Sequence, residues 1–320
     1  MYTPLLLLHL VHGGGEMSAE LIELSNALAQ ATERAAASVV AIHTEARGSS
    51  SGVVWRDGVI VTAEHALRRD EEIQATLPDG RVVPATLAGR DPSTDLAVLK
   101  CAEAGKRIVE LGDSTAIKPG SITLVVGRTR ASGPVAALGV VSLVVAERRI
   151  WTGSSLVPYI RLDVGLQSTA VGGAVVDARG KILGIASPRF ARFGAIAIPA
   201  ATVDRVAETL LKKGRIPRGY LGVALQPVRL PENLRESLQH SEKTAAIILE
   251  VEADGPAHKA GIVIGDILLS LAGLPISRPE NVQPHLHAEN IGKSLSARIV
   301  RGGAARDVSI SVGDRANGGE

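Results

Sequence analysis

Aromatic side chains make up only 2% of this 320-residue chain, with two Trp, three Tyr and two Phe. Its cores must therefore be packed from Val, Leu, Ile and Ala, and few rings are available for stacking nucleic-acid bases. A net charge of +2 is too small to draw the chain to DNA or to an anionic membrane. Cys101 is the only cysteine, so no intramolecular disulfide can form, and a lone thiol reads as a buried side chain. Absent disulfides suit the cytoplasm without excluding a bacterial periplasm. Apolar runs stay short of bilayer length: Gly139 interrupts Pro134–Ala146, and His9 interrupts Leu5–Val11. His285 and His287 are two apart, which on a helix turns them to different faces. No metal, nucleotide or flavin site, and no cofactor of any kind, is expected.

The opening stretch MYTPLLLLHLVHGGGEM lacks a basic n-region and a small-residue cleavage site, so it does not read as a signal peptide. Gly-Gly-Glu before a methionine is what a purine-rich ribosome-binding tract would encode. Residues 1–16 are accordingly read as a mis-annotated leader before Met17, with a weak membrane anchor as the alternative. On this basis the cytoplasm is the expected compartment.

A helix is expected over 17–37, capped by Ser18, with Leu21, Leu24, Leu28 and Ala31 on one face. From Ser38 the pattern changes to short β-rich runs parted by Gly, Asp and Pro, the spacing of an all-β barrel or sandwich. A second helix runs from about Thr202 to Lys213, with Val203, Val206 and Leu210 on one side and Gly214 as its stop. Residues 214–219 read as a linker, 220–314 as a separate module with its own strands, and 315–320 as a tail.

Several stretches carry a family resemblance. They are VIVTAEHAL around His65, DPSTDLAVLK around Asp95, QSTAVGGAVVDARGKILGIAS, GAIAIPAATVDRVAETLLKKGRIPRGYLGVAL and GPAHKAGIVIGDILLSLAGLPI. In this order they resemble the HtrA (Deg) family. The resemblance implies a mostly β chain: a trypsin-like double six-stranded barrel over 38–213, then an α+β PDZ domain. It places His65 as general base and Asp95 as the group that orients it. Where the family has Gly-Asn-Ser-Gly-Gly-Pro, this chain has Thr169, Ala170, Val171, Gly172, Gly173 and Ala174. Val171 therefore stands at the nucleophile position with no lone pair to attack a carbonyl. Thr169 stands where the family's oxyanion loop uses glycine, and a β-branched residue there is strained or forces another path.

The PDZ resemblance implies a carboxylate-binding loop at Tyr220, Leu221, Gly222 and Val223. Val282 and Leu286 would face the groove from a helix beginning near Pro279, with Pro284 in its first turn. The expected function is an inactive protease homologue that binds protein C-termini or unfolded polypeptides as adaptor, chaperone or regulator. By family habit it would form a homotrimer, or a mixed oligomer with an active paralogue, and the periplasm is the family's alternative compartment. The rival reading is an active serine endopeptidase using a displaced nucleophile, Ser168 or Thr169. Either would shift the attacking oxygen by a residue step of about 3.8 Å or more. A purely structural role would leave the groove empty.

Overall fold

The computed structural model describes residues 13–44, 48–67, 72–105, 110–145, 148–149, 155–156, 158–191, 194–238 and 240–315. The chain divides into two compact units, 1–146 with 158–215, and 147–157 with 216–320.

The first unit holds two closed six-stranded antiparallel barrels. In one, β1 (Val39–Thr44), β2 (Gly48–Arg56), β3 (Val59–Ala63), β4 (Ile73–Thr76), β5 (Val82–Asp91) and β6 (Leu96–Lys100) close in the order β1-β2-β3-β6-β5-β4. The other is built from β7 (Ile122–Thr129), β8 (Gly133–Val145), β9 (Tyr159–Asp163), β10 (Ala174–Asp177), β11 (Ile182–Ser187) and β12 (Ala195–Pro199). Its order is β9-β12-β11-β10-β7-β8. Side chains alternate across each strand, so a closed barrel buries one set, and closure leaves no strand edge exposed. Val40, Ile42, Val54, Ile60 and Leu99 fill the first barrel. Val125, Val141, Ile160, Leu162 and Val175 fill the second. Among the described residues Trp55 is the only buried aromatic, and its indole N–H donates to Asp204 Oδ1 at 2.8 Å.

Helix α1 spans Gly13–Ala36, so Ser18 lies inside it and is not its cap. The expected apolar face holds only at the C-terminal end. Ala31, Ala35 and Ala36 are buried, whereas Leu21 and Leu24 are 61% and 43% exposed. Good intrinsic helix formers carry the helix past the point where it packs on the barrel. Arg128 secures that packed end from β7: its Nε donates to Val39 O at 2.6 Å and its Nη2 to Ala36 O at 2.9 Å. Helix α2 (Ala200–Lys213) buries Val203, Val206, Ala207 and Leu210. Gly214 ends it in the left-handed region, and its N–H donates to Leu210 O at 2.8 Å.

The second unit is an antiparallel sheet in the order β13 (Val223–Arg229), β14 (Thr244–Val251), β15 (Ile267–Leu271), β16 (Ser294–Arg301) and β17 (Ala304–Ser311). A short strand, Leu274–Pro275, pairs with β15. Gly219–Tyr220 pairs with Gly313–Asp314, so the two ends of the unit meet. Asp266 is 1% exposed and is held by Arg301, whose Nε and Nη2 reach its two oxygens at 2.7 and 2.6 Å. The Val263 amide donates to Oδ2 at 3.0 Å. Burial pushes this carboxyl up, but the guanidinium fork and the amide hold it below the usual carboxylate range. Because the folded pKa is depressed, the stabilisation is complete above roughly pH 4 and is lost as pH falls further. Asp266→Ala is expected to destabilise this unit by about 1–3 kcal/mol. Urea unfolding would read this as a lower midpoint at unchanged slope.

Candidate functional site

β3 ends at Ala63, and the single 3-10 turn Glu64–Ala66 carries His65 out of the barrel wall. Asp95 sits between β5 and β6 at φ 57°, a left-handed conformation that Asp tolerates better than most side chains. Its carboxylate is fully buried. His65 Nδ1 lies 2.8 Å from both Asp95 oxygens, and the His65 amide donates to Oδ1 at 3.1 Å. Ser187, at the end of β11, donates to Oδ2 at 2.5 Å. An imidazole held through Nδ1–H presents Nε2 as its basic atom, the arrangement of a general base oriented by a carboxylate. The structure thus brings together the two residues the sequence singles out and adds Ser187. Nothing local distinguishes Ser187 from the other serines.

A second group of charges borders the same carboxylate. Glu64 Oε2 accepts from Arg189 Nη1 at 2.9 Å, and its Oε1 lies 3.5 Å from Arg90 Nη1. Arg189 Nη1 also lies 3.7 Å from Asp95 Oδ1. Sequence reading did not single out these three residues, although an acidic side chain directly before His65 was a usable signal.

The segment expected to hold a nucleophile folds over β2. Ser168–Ala170 form a 3-10 turn, and the Val171 N–H donates back to Ser168 O at 3.2 Å. The Val171 carbonyl accepts from Ser51 N at 2.8 Å, and Thr169 O accepts from Ser51 Oγ at 2.6 Å. Thr169 is not among the residues at positive φ, a region that β-branched side chains avoid. Gly172, at φ 77°, is forced by space as well: a Cβ would lie 2.4 Å from Ser51 O and 2.5 Å from Thr62 Oγ1. At Gly173 a Cβ would meet Val126 O at 2.3 Å. Val171 itself is 8% exposed and offers methyl groups alone. Ser168 is exposed and Thr169 half-buried.

In the second unit the loop Tyr220–Val223 is fixed from inside. Ala257 N donates to Leu221 O at 2.8 Å and Glu252 N to Gly222 O at 2.9 Å, with Gly222 at φ 74°. Among the described residues β13 pairs only with β14, so its other edge can accept an added strand. Leu221 and Val282 belong to the core of the unit, while Val223 and Leu286 are half-buried against it. Two of the six expected groove residues are therefore core side chains. The segment Pro279–Leu286 is a 3-10 helix with Pro284 inside it, beyond the first turn. This corrects the expected placement of Pro284. A 3-10 turn forms only a few i→i+3 bonds, so a missing N–H disrupts less of it than of a long α-helix.

Residues 50–185 match the trypsin-like peptidase domain family, and residues 219–312 match the PDZ domain family. A Pseudomonas putida (strain GB-1) protein named "Probable periplasmic serine endoprotease DegP-like" is 34% identical over 276 residues, covering 84% of this chain and 57% of that protein. One of the same name from Halomonas elongata is 31% identical over 279 residues, covering 85% of this chain and 58% of that protein. The chain thus spans little more than half the length of these curated relatives. Among solved structures, the HtrA-type protease AlgW with decapeptide superposes with a TM-score of 0.70 at 26% identity, covering 91% of this chain and 99% of that one. The serine endoprotease from Yersinia pestis does so with a TM-score of 0.71 at 27% identity, covering 90% and 98%. The relatives' periplasmic names overturn the cytoplasmic expectation. That expectation rested on residues 1–17, and residues 1–12 lie outside the described residues. With its two closed barrels, its His65 held on a buried Asp95 and its C-terminal sheet module, the chain belongs to the HtrA/DegP family of trypsin-like serine proteases carrying a PDZ domain.

Proposed function

We propose that this protein binds polypeptide without cleaving it, as an adaptor, chaperone or regulator in the bacterial periplasm. One feature of the sequence supports the reading: by resemblance Val171 stands where the family carries its serine, in a chain that keeps the hydrogen-bonded His65–Asp95 pair. A base with no acid to deprotonate cannot start acyl transfer. The commitment of the Val171 amide to Ser168 O supports the same reading, since that N–H would otherwise serve a developing oxyanion. A fluorophosphonate probe, which reports an activated hydroxyl, is expected to leave the full chain unlabelled. Stoichiometric labelling that disappears in His65→Ala would defeat the proposal in favour of a displaced nucleophile at Ser168 or Thr169.

The binding half of the proposal rests on the Tyr220–Val223 loop and the open edge of β13. Peptides ending in an apolar residue and a free carboxylate are expected to be selected from a C-terminal library, and amidation of that terminus is expected to abolish binding. A library that shows no selection would remove the peptide-binding role.

A further inference from the structure

The backbone groups of β13 are divided between its two edges. Glu252 N–H donates to Gly222 O and Leu230 N–H to Lys243 O, each at 2.9 Å, so the even-numbered residues bond toward β14. The odd-numbered residues, Val223, Leu225, Pro227 and Arg229, turn their backbone groups to the open edge. The irregularity in this pair adds Leu249 on β14 and leaves the alternation along β13 intact. Side chains alternate in the same way. Val228 and Leu230 pack with Leu234 and Leu238 on one face of the sheet, whereas Val223 and Leu225 lie with Val282 and Leu286 on the other. Arg229 therefore shares the face of Val282 and Leu286.

Beyond Arg229 the chain turns through Leu230 and Pro231 into a short helix, Glu232–Ser237. Arg229, Arg235 and Lys243 line an open pocket of about 470 Å³ there, and among the described residues Glu232 is its single carboxylate. Glu232 does little to neutralise it. Its side chain is 80% exposed, with Oε1 3.6 Å from Arg235 Nη2, a setting in which an ion pair contributes little. Arg235 Nε is buried with no acceptor among the described residues. Three cations beside one solvated carboxylate suit a further anionic side chain.

From this geometry we infer that the pocket of Arg229, Arg235 and Lys243 selects an acidic side chain upstream of the C-terminus of a bound polypeptide. A terminus held at the Tyr220–Val223 loop can follow the open edge only antiparallel to β13. With the last residue opposite Val223, the residue six positions earlier lies opposite Arg229. Pro227 has no N–H to offer the added strand, so backbone pairing is broken between Leu225 and Arg229. The cationic pocket supplies an anchor past that break. The inference rests on the C-terminal binding proposed above and adds its substrate class: chains with an apolar last residue and an Asp or Glu upstream.

Two pools of ten-residue peptides test it, each with Val, Leu, Ile, Ala or Phe as the free C-terminal residue. They differ at the seventh residue from the end, Asp in one pool and Asn in the other. Fluorescence anisotropy with the full chain at low salt reads the affinity for each. The Asp pool is expected to bind about fivefold more tightly, the upper range for an exposed ion pair. That ratio should fall toward one in the double variant Arg229→Gln with Lys243→Gln. With Asp moved to the fourth residue from the end it lies opposite Gln226, about 10 Å short of Arg229, and the preference should disappear. A preference kept at the fourth residue, or kept in the double variant, would show diffuse attraction and overturn the inference. Should the double variant not fold, the comparison of positions in the parent chain decides the matter. Equal binding of both pools by the parent would overturn this inference and leave C-terminal binding intact. Binding of neither pool, or binding unchanged by amidation of the terminus, would sink the C-terminal reading and this inference with it.

Discussion

Val171→Ser alone is expected to leave the protein close to proteolytically silent, whereas Thr169→Gly with Val171→Ser should recover one to two further decades of peptide hydrolysis. Removing the nucleophile of a serine protease costs on the order of a millionfold in turnover, or roughly 8 kcal/mol of barrier. Serine at 171 restores the atom that attacks but not the group that receives the charge. The amide of residue 171 still donates to Ser168 O within the 3-10 turn, and losing one oxyanion donor costs about 10²–10³ in kcat. Glycine at 169 lets the backbone reach conformations that threonine avoids, so the turn can open and release the amide. Cleavage of an unfolded protein substrate, compared across the three chains, reads the difference. Equal rates in the single and double variants would show that the oxyanion argument is wrong.

Gly172→Ala is expected to be strongly damaging to the first unit. The substitution meets Ser51 O at 2.4 Å and Thr62 Oγ1 at 2.5 Å. Those two atoms are bonded to each other at 2.6 Å, so neither can retreat cheaply. The left-handed backbone adds about 1–2 kcal/mol for any L side chain. Together with overpacking, the loss should reach about 4 kcal/mol, or a fall in Tm of about 10 °C in a unit of this size. Gly133→Ala is the control. It shares a positive φ, 79°, but has nothing within 4 Å of the added Cβ, so only the conformational cost of about 1–2 kcal/mol applies. Thermal unfolding followed by circular dichroism would separate the two; equal losses would mean that the Val171 segment does not pack tightly on β2.

Much of the architecture is local and could be read residue by residue. Alternating Val, Ile and Ala over short runs specifies barrel strands, because a period of two is a local property. The apolar spacing of Val203, Val206 and Leu210, followed by Gly214, specifies α2 and its end for the same reason. Helix α1 marks the limit of that reasoning. Its periodicity describes a face, but whether the face is covered depends on how far the barrel extends beside it, and Leu21 and Leu24 lie beyond that reach.

The sequence by itself determined that residue 171 carries no hydroxyl, since the chemistry of a valine side chain is the same wherever it is placed. It also determined the His65–Asp95 pairing, through the two motifs that contain them. Only the tertiary structure decided which groups surround that pair. Ser187 reaches Asp95 across 92 residues, Arg189 reaches Glu64 across 125, and Ser51 reaches Thr169 across 118. The reason is physical: backbone periodicity is written between neighbours, whereas the partner of a buried charge is whichever strand end barrel closure brings within about 3 Å.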